Sequence, residues 1–160
     1  MVNQLTHLDT KGRARMVDVG HKLPMHRVAE AHAFIRLAAS TIRLLRRKAL
    51  PKGDALTVAQ IAGIQAAKET ARLIPLCHTL PLDVVNVDFQ VTSRGVEIRA
   101  EAISVSKTGV EMEALVAVSI AALALYDMCK AVDKRMVIGP VRLIRKTKSA
   151  APNKPALYLK

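Results

Sequence analysis

The sequence predicts an α+β fold: one antiparallel sheet with helices packed on one of its faces. Three observations carry this. Residues 27–37 alternate strictly, with Val28, Glu30, His32, Phe34 and Arg36 opposing Ala29, Ala31, Ala33, Ile35 and Leu37. Two further β-like runs, 84–92 and 96–106, are joined by the short turn Ser93-Arg94-Gly95. The stretch from Lys107 to Val132 is Ala- and Leu-rich, free of Pro and, past Gly109, of Gly, with Ser119 its only polar side chain between Ala114 and Tyr126. Alternation is the period of a half-buried strand, and an uninterrupted Ala/Leu run favours helix.

In chain order, residues 1–26 show no sustained period and read as an arm, with one short strand at Met16-Val17-Asp18-Val19. The alternating strand follows. Ser40 is the expected cap of a short basic helix from Thr41 to about Lys48. Pro51-Lys52-Gly53-Asp54 reads as a turn, and Asp54 as the cap of a second helix from Ala55 to about Leu73, where Pro75 stops it. Leu56, Ala59, Gly63, Ala67 and Thr70 make a stripe of mainly small residues on that helix, suited to close packing. The loop Leu76-Cys77-His78-Thr79-Leu80-Pro81 has Cys77 and His78 as its only ionisable side chains. After the hairpin and the long helix, Met136–Lys146 reads as a final strand. Thr147–Lys160, rich in Pro, Lys and Ala, reads as a flexible tail beyond a single domain of residues 1–146.

The order strand, helices, strand, strand, helix, strand is that of the split βαβ, ferredoxin-like sandwich. The long helix is apolar all round, so it needs cover on more than one side. It is also too short and too bracketed by charge to be read as a membrane span. Exposed sheet edges and an Ala-rich helix face suit self-association.

A chain of 160 residues suffices for one domain with a core. With four aromatic residues and no Trp, that core must be built from Ala, Val, Ile and Leu. Asn3-Gln4 after Met1 is not an apolar leader, so a cytoplasmic location with Cys77 and Cys129 both reduced is expected. The two cysteines lie far apart with no C-x-x-C partner, and His7, Asp9, His21 and His26 are too loosely spaced to suggest a metal. The net charge of +12 points to an anionic partner, and the scarcity of aromatics speaks against binding single strands by base stacking. No Walker loop, dinucleotide fingerprint or Ser nucleophile elbow occurs.

Any chemistry must therefore come from charged residues on loops and helix ends: Lys52, Lys68, His78, Glu111, Glu113, Asp127, Lys130 and Lys146. Each has an ordinary structural reading. Asp127 and Lys130, three apart, can pair on one helix face, and Glu111 and Glu113 suit the positive end of a helix. A non-catalytic binding module for RNA or a nucleotide is thus an alternative that charge alone does not remove.

Longer words narrow the choice. The segments L-T-H-L-D, A-R-M-V-D-V-G, K-G-D-A-L, I-A-G-I-Q-A-A-K-E-T, L-I-P-L-C-H, K-T-G-V-E-M-E-A-L and L-Y-D-M-C-K-A-V lie in order across residues 3–146. Together they resemble the molybdenum cofactor biosynthesis protein C family, the cyclic pyranopterin monophosphate synthases. The resemblance implies a ferredoxin-like fold and a hexamer, a trimer of dimers with sites at subunit interfaces. It also implies a reaction in which 3′,8-cyclo-7,8-dihydro-GTP becomes cyclic pyranopterin monophosphate with release of pyrophosphate. By motif match it implies catalytic roles for Asp127, Lys52, Lys130 and His78. Substrate contacts are implied for Leu76, Cys77, His78, Met112, Glu113 and Glu111, and for Arg27 and Lys146; Lys68 joins them as a cation able to oppose the substrate's charge. No resident cofactor or metal is implied, Mg²⁺ accompanying the phosphates being left open, and neither nucleic acid nor membrane is an expected partner. The chain departs from the family where a glycine-rich G-G-K-S-G commonly follows the late lysine and this sequence has Thr147-Lys148-Ser149-Ala150-Ala151.

Such a set suits a triphosphate of charge about −4, which cationic side chains can oppose. A lysine crowded by cations is expected to have a lowered pKa, and so to trade protons near neutrality. Asp127 would orient Lys130 or take a proton itself, and Glu111 and Glu113 would sit at the base end, away from the phosphates. Glu113 and Asp127, fourteen residues apart on one helix, would lie roughly 21 Å apart along its axis, which argues for two chains sharing one site.

Overall fold

The computed structural model describes residues 7–9 and 11–151. Five strands and four helices follow in order: β1 (Met25–Arg36), α1 (Ala39–Arg46), α2 (Ala55–Lys68), α3 (Thr70–Leu73), β2 (Val84–Val91), β3 (Gly95–Ser106), α4 (Glu111–Cys129), β4 (Val137–Ile138) and β5 (Arg142–Ser149). The sheet runs β2-β3-β1-β4, with β5 also beside β1 and every pairing antiparallel. This is the split βαβ topology that the element order predicts.

The alternation in β1 sets which side of the sheet is covered. Ala29, Ala31, Ala33 and Ile35 are buried, as are Val96, Ile98, Ala100 and Ala102 across from them on β3. α4 lies over these two strands and against α2. Contrary to the expectation that it is too short, it has the length and apolar content of a membrane span, but Ala114, Ala117, Val118, Ala121, Ala122 and Leu125 are buried in this core. Small residues let the layers approach. At Gly63 of α2 an added Cβ would lie 2.9 Å from the Ala117 carbonyl oxygen and 3.1 Å from the Ala121 Cβ. That contact explains the predicted stripe: Ala59, Gly63, Ala67 and Thr70 are buried, while Leu56 is only half-buried. Each large side chain removed from water here, such as Ile35, Ile98 or Leu125, contributes about 1.5–3 kcal/mol.

Several local expectations are corrected. Residues 16–19 form no strand; the arm's ordered feature is a small turn in which Asp9 accepts from the backbone of Lys11 and Arg13, closing a bridge between Leu8 and Ala14. Ser40 does not cap α1. The cap residue is Ala38, whose N–H donates to the Asp133 carboxylate at 2.7 Å, and the Thr41 hydroxyl donates to the same oxygen at 3.1 Å. A buried acid 95 residues away in sequence thus anchors the start of α1, although among the described residues no side chain caps the N–H groups of its first turn. The second helix breaks at Glu69, where the Thr70 hydroxyl donates to the Ala67 carbonyl and competes with the backbone ladder. Asp54 does cap α2, accepting from Thr57 N–H. The final strand is two strands, interrupted at Gly139-Pro140, where Gly139 takes a φ of +133°. The tail boundary also moves. β5 continues to Ser149, with Thr147, Lys148 and Ser149 paired to Val28, Arg27 and His26. Residues 152–160, the rest of the expected tail, lie outside the described residues, as do Asn3 and Gln4.

Candidate active site

The proposed residues, Lys68 excepted, gather at the two ends of α4. At its C-terminal end, the turn after α1 carries Lys52 to Asp127. Lys52 Nζ donates to Asp127 Oδ2 at 2.6 Å and to the Asp127 backbone carbonyl at 3.1 Å. Lys130 Nζ lies 2.7 Å from Asp127 Oδ1. One carboxylate therefore spans two ammonium groups, all three side chains being 40–56% exposed. The turn is held from behind by an ion pair between Lys48, in the left-handed region at φ 51°, and Asp54 at 2.8 Å. Lys130, then Lys52, hold the Asp127 carboxyl down to about 2. Hydrogen bonding to Asp127 raises the Lys130 ammonium. For Lys130 this reverses the expectation of a lysine lowered by cationic crowding, because the carboxylate stands closest. Asp127 is ionised at neutral pH, and its geometry suits holding two ammonium groups.

At the N-terminal end, Leu76, Cys77, His78, Glu111, Met112 and Glu113 line one cavity of about 500 Å³. Arg27, Glu111 and Lys146 line an adjoining one of about 260 Å³, and Gly109 and Glu111 belong to both. Here the acids behave differently from Asp127. Glu113 is only 3% exposed, and burial, with a smaller contribution from Glu111, pushes its carboxyl up. Burial, then Glu113, pushes up the Cys77 thiol, so this is not the electropositive setting of a reactive cysteine. His78 Nε2 is 2.8 Å from the Val17 carbonyl oxygen. Glu111, expected beside Glu113 at the base end, instead pairs with Lys146 at 3.0 Å. Lys68 is the one proposed residue left apart, exposed in the last turn of α2 and lining neither cavity.

Sequence reasoning missed the arm's part in this site. His7, Val17, Val19 and Lys22 line the larger cavity, and Lys107 Nζ donates to the Gly20 carbonyl at 2.8 Å. No periodicity could have shown this, since contacts 61 and 87 residues apart in sequence hold the segment there. Among the described residues, no three His, Cys, Asp or Glu side chains come together as a metal site.

The MoaC family profile matches residues 16–149, a span that includes both ends of α4. The chain belongs to the MoaC family. Among curated relatives, it is 56% identical over 145 residues to the cyclic pyranopterin monophosphate synthase of Novosphingobium aromaticivorans, covering 91% of this chain and 92% of that one. It is 52% identical over 148 residues to the protein of the same name from Clostridium perfringens, covering 91% and 94%. A match of 54% over 144 residues covers 90% of this chain but 46% of a molybdenum cofactor biosynthesis bifunctional protein of Chlorobaculum tepidum.

Proposed function

We propose that this chain is a cyclic pyranopterin monophosphate synthase, a cytoplasmic lyase of molybdenum cofactor biosynthesis acting on 3′,8-cyclo-7,8-dihydro-GTP. The observation that carries the chemistry is the convergence of Lys52 and Lys130 on Asp127 from separate segments of the chain. Two ammonium groups fixed by one exposed carboxylate can oppose phosphate charge and deliver protons as bonds rearrange. In closing the cyclic phosphate, a sugar hydroxyl attacks the α-phosphorus and loses its proton, while the bond to the β-phosphate breaks and pyrophosphate leaves. Cations near the leaving group stabilise the charge it gains. Cys77, His78, Met112 and Glu113 are assigned to the pterin-forming base, and Arg27 and Lys146 to the phosphates.

The two ends of α4 act together in an assembly. Along one helix, Glu113 and Asp127 stand roughly 21 Å apart, too far to share one reacting centre. A second copy that brings its Lys52–Asp127–Lys130 end to the first copy's cavity completes a site, in a hexamer built as a trimer of dimers. The reading assigns no resident cofactor; Mg²⁺ would enter with the substrate's phosphates, and turnover with and without a chelator tests that.

Two assays test the proposal. Supplied with the cyclised GTP intermediate, the protein should release pyrophosphate and yield a pterin detectable by fluorescence after oxidation; absence of both sinks the reading. Lys52→Ala and an inactive variant of the other end, Glu113→Ala, refolded together, should recover activity at hybrid interfaces. Activity that stays at background would place both residues in one chain's site, and a monomer by light scattering would end the shared-site reading.

A further inference from the structure

Glu111 occupies a position suited to a ligand's anion. Its Oε1 accepts from Lys146 Nζ at 3.0 Å, and its carboxylate lies folded back over Gly109, where an added Cβ would sit 1.8 Å from Oε2. Glu111 lines the concavity that also holds Arg27, Lys146 and Lys148. Arg27 is incompletely satisfied there: one terminal nitrogen reaches the Lys107 carbonyl at 3.4 Å, while Nε is buried with no partner among the described residues. Arg27 lines the concavity, and its terminal nitrogen makes a long 3.4 Å bond, so an acceptor delivered there has a guanidinium to pair with. Three cationic side chains thus line one small concavity, and among the described residues Glu111 supplies its only carboxylate.

We propose that Glu111 is an internal stand-in for the phosphates of the ligand, holding Lys146 in the free chain and yielding it when a polyphosphate enters. This rests on the reading above that the concavity takes the phosphate end of a substrate. A di- or triphosphate brings more charge and more acceptor oxygens than one carboxylate, and so outcompetes it for Lys146 and supplies Arg27 as well. The released carboxylate is still favourably placed, because Glu111 is the first residue of α4, at the positive end of the helix. Exchange is therefore inexpensive, and it favours polyanions over singly charged groups. After pyrophosphate departs, Glu111 takes Lys146 back, which opposes rebinding.

The test is calorimetric binding of inorganic tripolyphosphate to the full-length protein. Removing Glu111's competition should tighten binding about three- to fivefold, the scale of one exposed ion pair. Glu111→Gln is compared with Asp88→Asn, which makes the same charge change at an exposed position on β2. Glu111→Asp, whose shorter arm falls short of Lys146, should tighten binding too and serves if the glutamine variant folds poorly. In a Lys146→Gln background the gain should vanish. Binding by Glu111→Gln no tighter than by Asp88→Asn, a gain that survives loss of Lys146, or no tripolyphosphate binding by any variant would overturn the inference. Turnover of the cyclised GTP intermediate is measured separately, so a failed exchange and a failed enzyme assignment give different results.

Discussion

The two ends of α4 present the same chemical group, a carboxylate, in opposite conditions. Asp127 is half exposed, with an ammonium on each oxygen, and its carboxyl is drawn down to about 2. Glu113 is nearly sealed, and burial pushes its carboxyl up. One end holds charge out toward a partner or ligand; the other withdraws it into a cavity shaped by Cys77, His78 and Met112. Solvent and neighbours, not residue type, decide which carboxylate can carry charge cheaply. A helix that is apolar between two such ends works as a spacer, keeping the two environments from merging.

The largest expected effect breaks the cationic end alone. Lys52→Ala should lower turnover at least about a hundredfold, the usual scale for an acid–base group, with an unchanged circular dichroism spectrum because Lys52 lies on an exposed turn. Near-normal turnover would remove Lys52 from the catalytic set.

Next comes the packing that connects the ends. Gly63→Val should destabilise the fold by about 1–3 kcal/mol in urea titrations, since its side chain meets the Ala117 carbonyl and the Ala121 Cβ. A neutral result would mean that α2 can slide from α4 without loss. Ending the chain at Lys146 removes the pairs Val28–Thr147, Arg27–Lys148 and His26–Ser149. That should lower the melting temperature by a few degrees and weaken tripolyphosphate binding, relative to a chain ending at Ser149. Equal stability of the two would show these pairs to be idle.

The smallest effects separate the two acids by sign. Asp127 has a folded pKa below its ordinary value of 3.8, so its contribution to stability is present above that value and lost as pH falls toward 2. Asp127→Asn should flatten the stability curve in that acid window. Glu113 has a folded pKa above its ordinary value of 4.5, so it weakens the fold increasingly as pH rises past that point. Glu113→Gln should relieve that loss toward neutral pH. Curves that bend the same way in both variants would erase the contrast drawn between the ends.

Much of this was legible in the sequence because it rests on local rules. Period-two alternation in 27–37, a Gly-containing turn between two β-like runs and an unbroken Ala/Leu stretch each report a backbone state set by neighbouring residues. From them the split βαβ order and the buried face of β1 followed, and the small-residue stripe of the second helix gave the close packing at Gly63. The motif words located Lys52, Asp127 and Lys130, and counting residues along one helix already separated Glu113 from Asp127. Apart from Asp127 with Lys130, three residues on along α4, only the tertiary structure decided which charges meet. It supplied Asp133 in place of Ser40 at the start of α1, the arm's Val17 and Lys22 at the cavity, three further β5 residues beside β1, and Lys146 rather than a nucleobase for Glu111. Each of these depends on groups tens of residues apart in the chain, where no local period reports a neighbour. The direction of a pKa shift belongs with them, because desolvation and a partner within hydrogen-bonding distance exist only once the chain has folded.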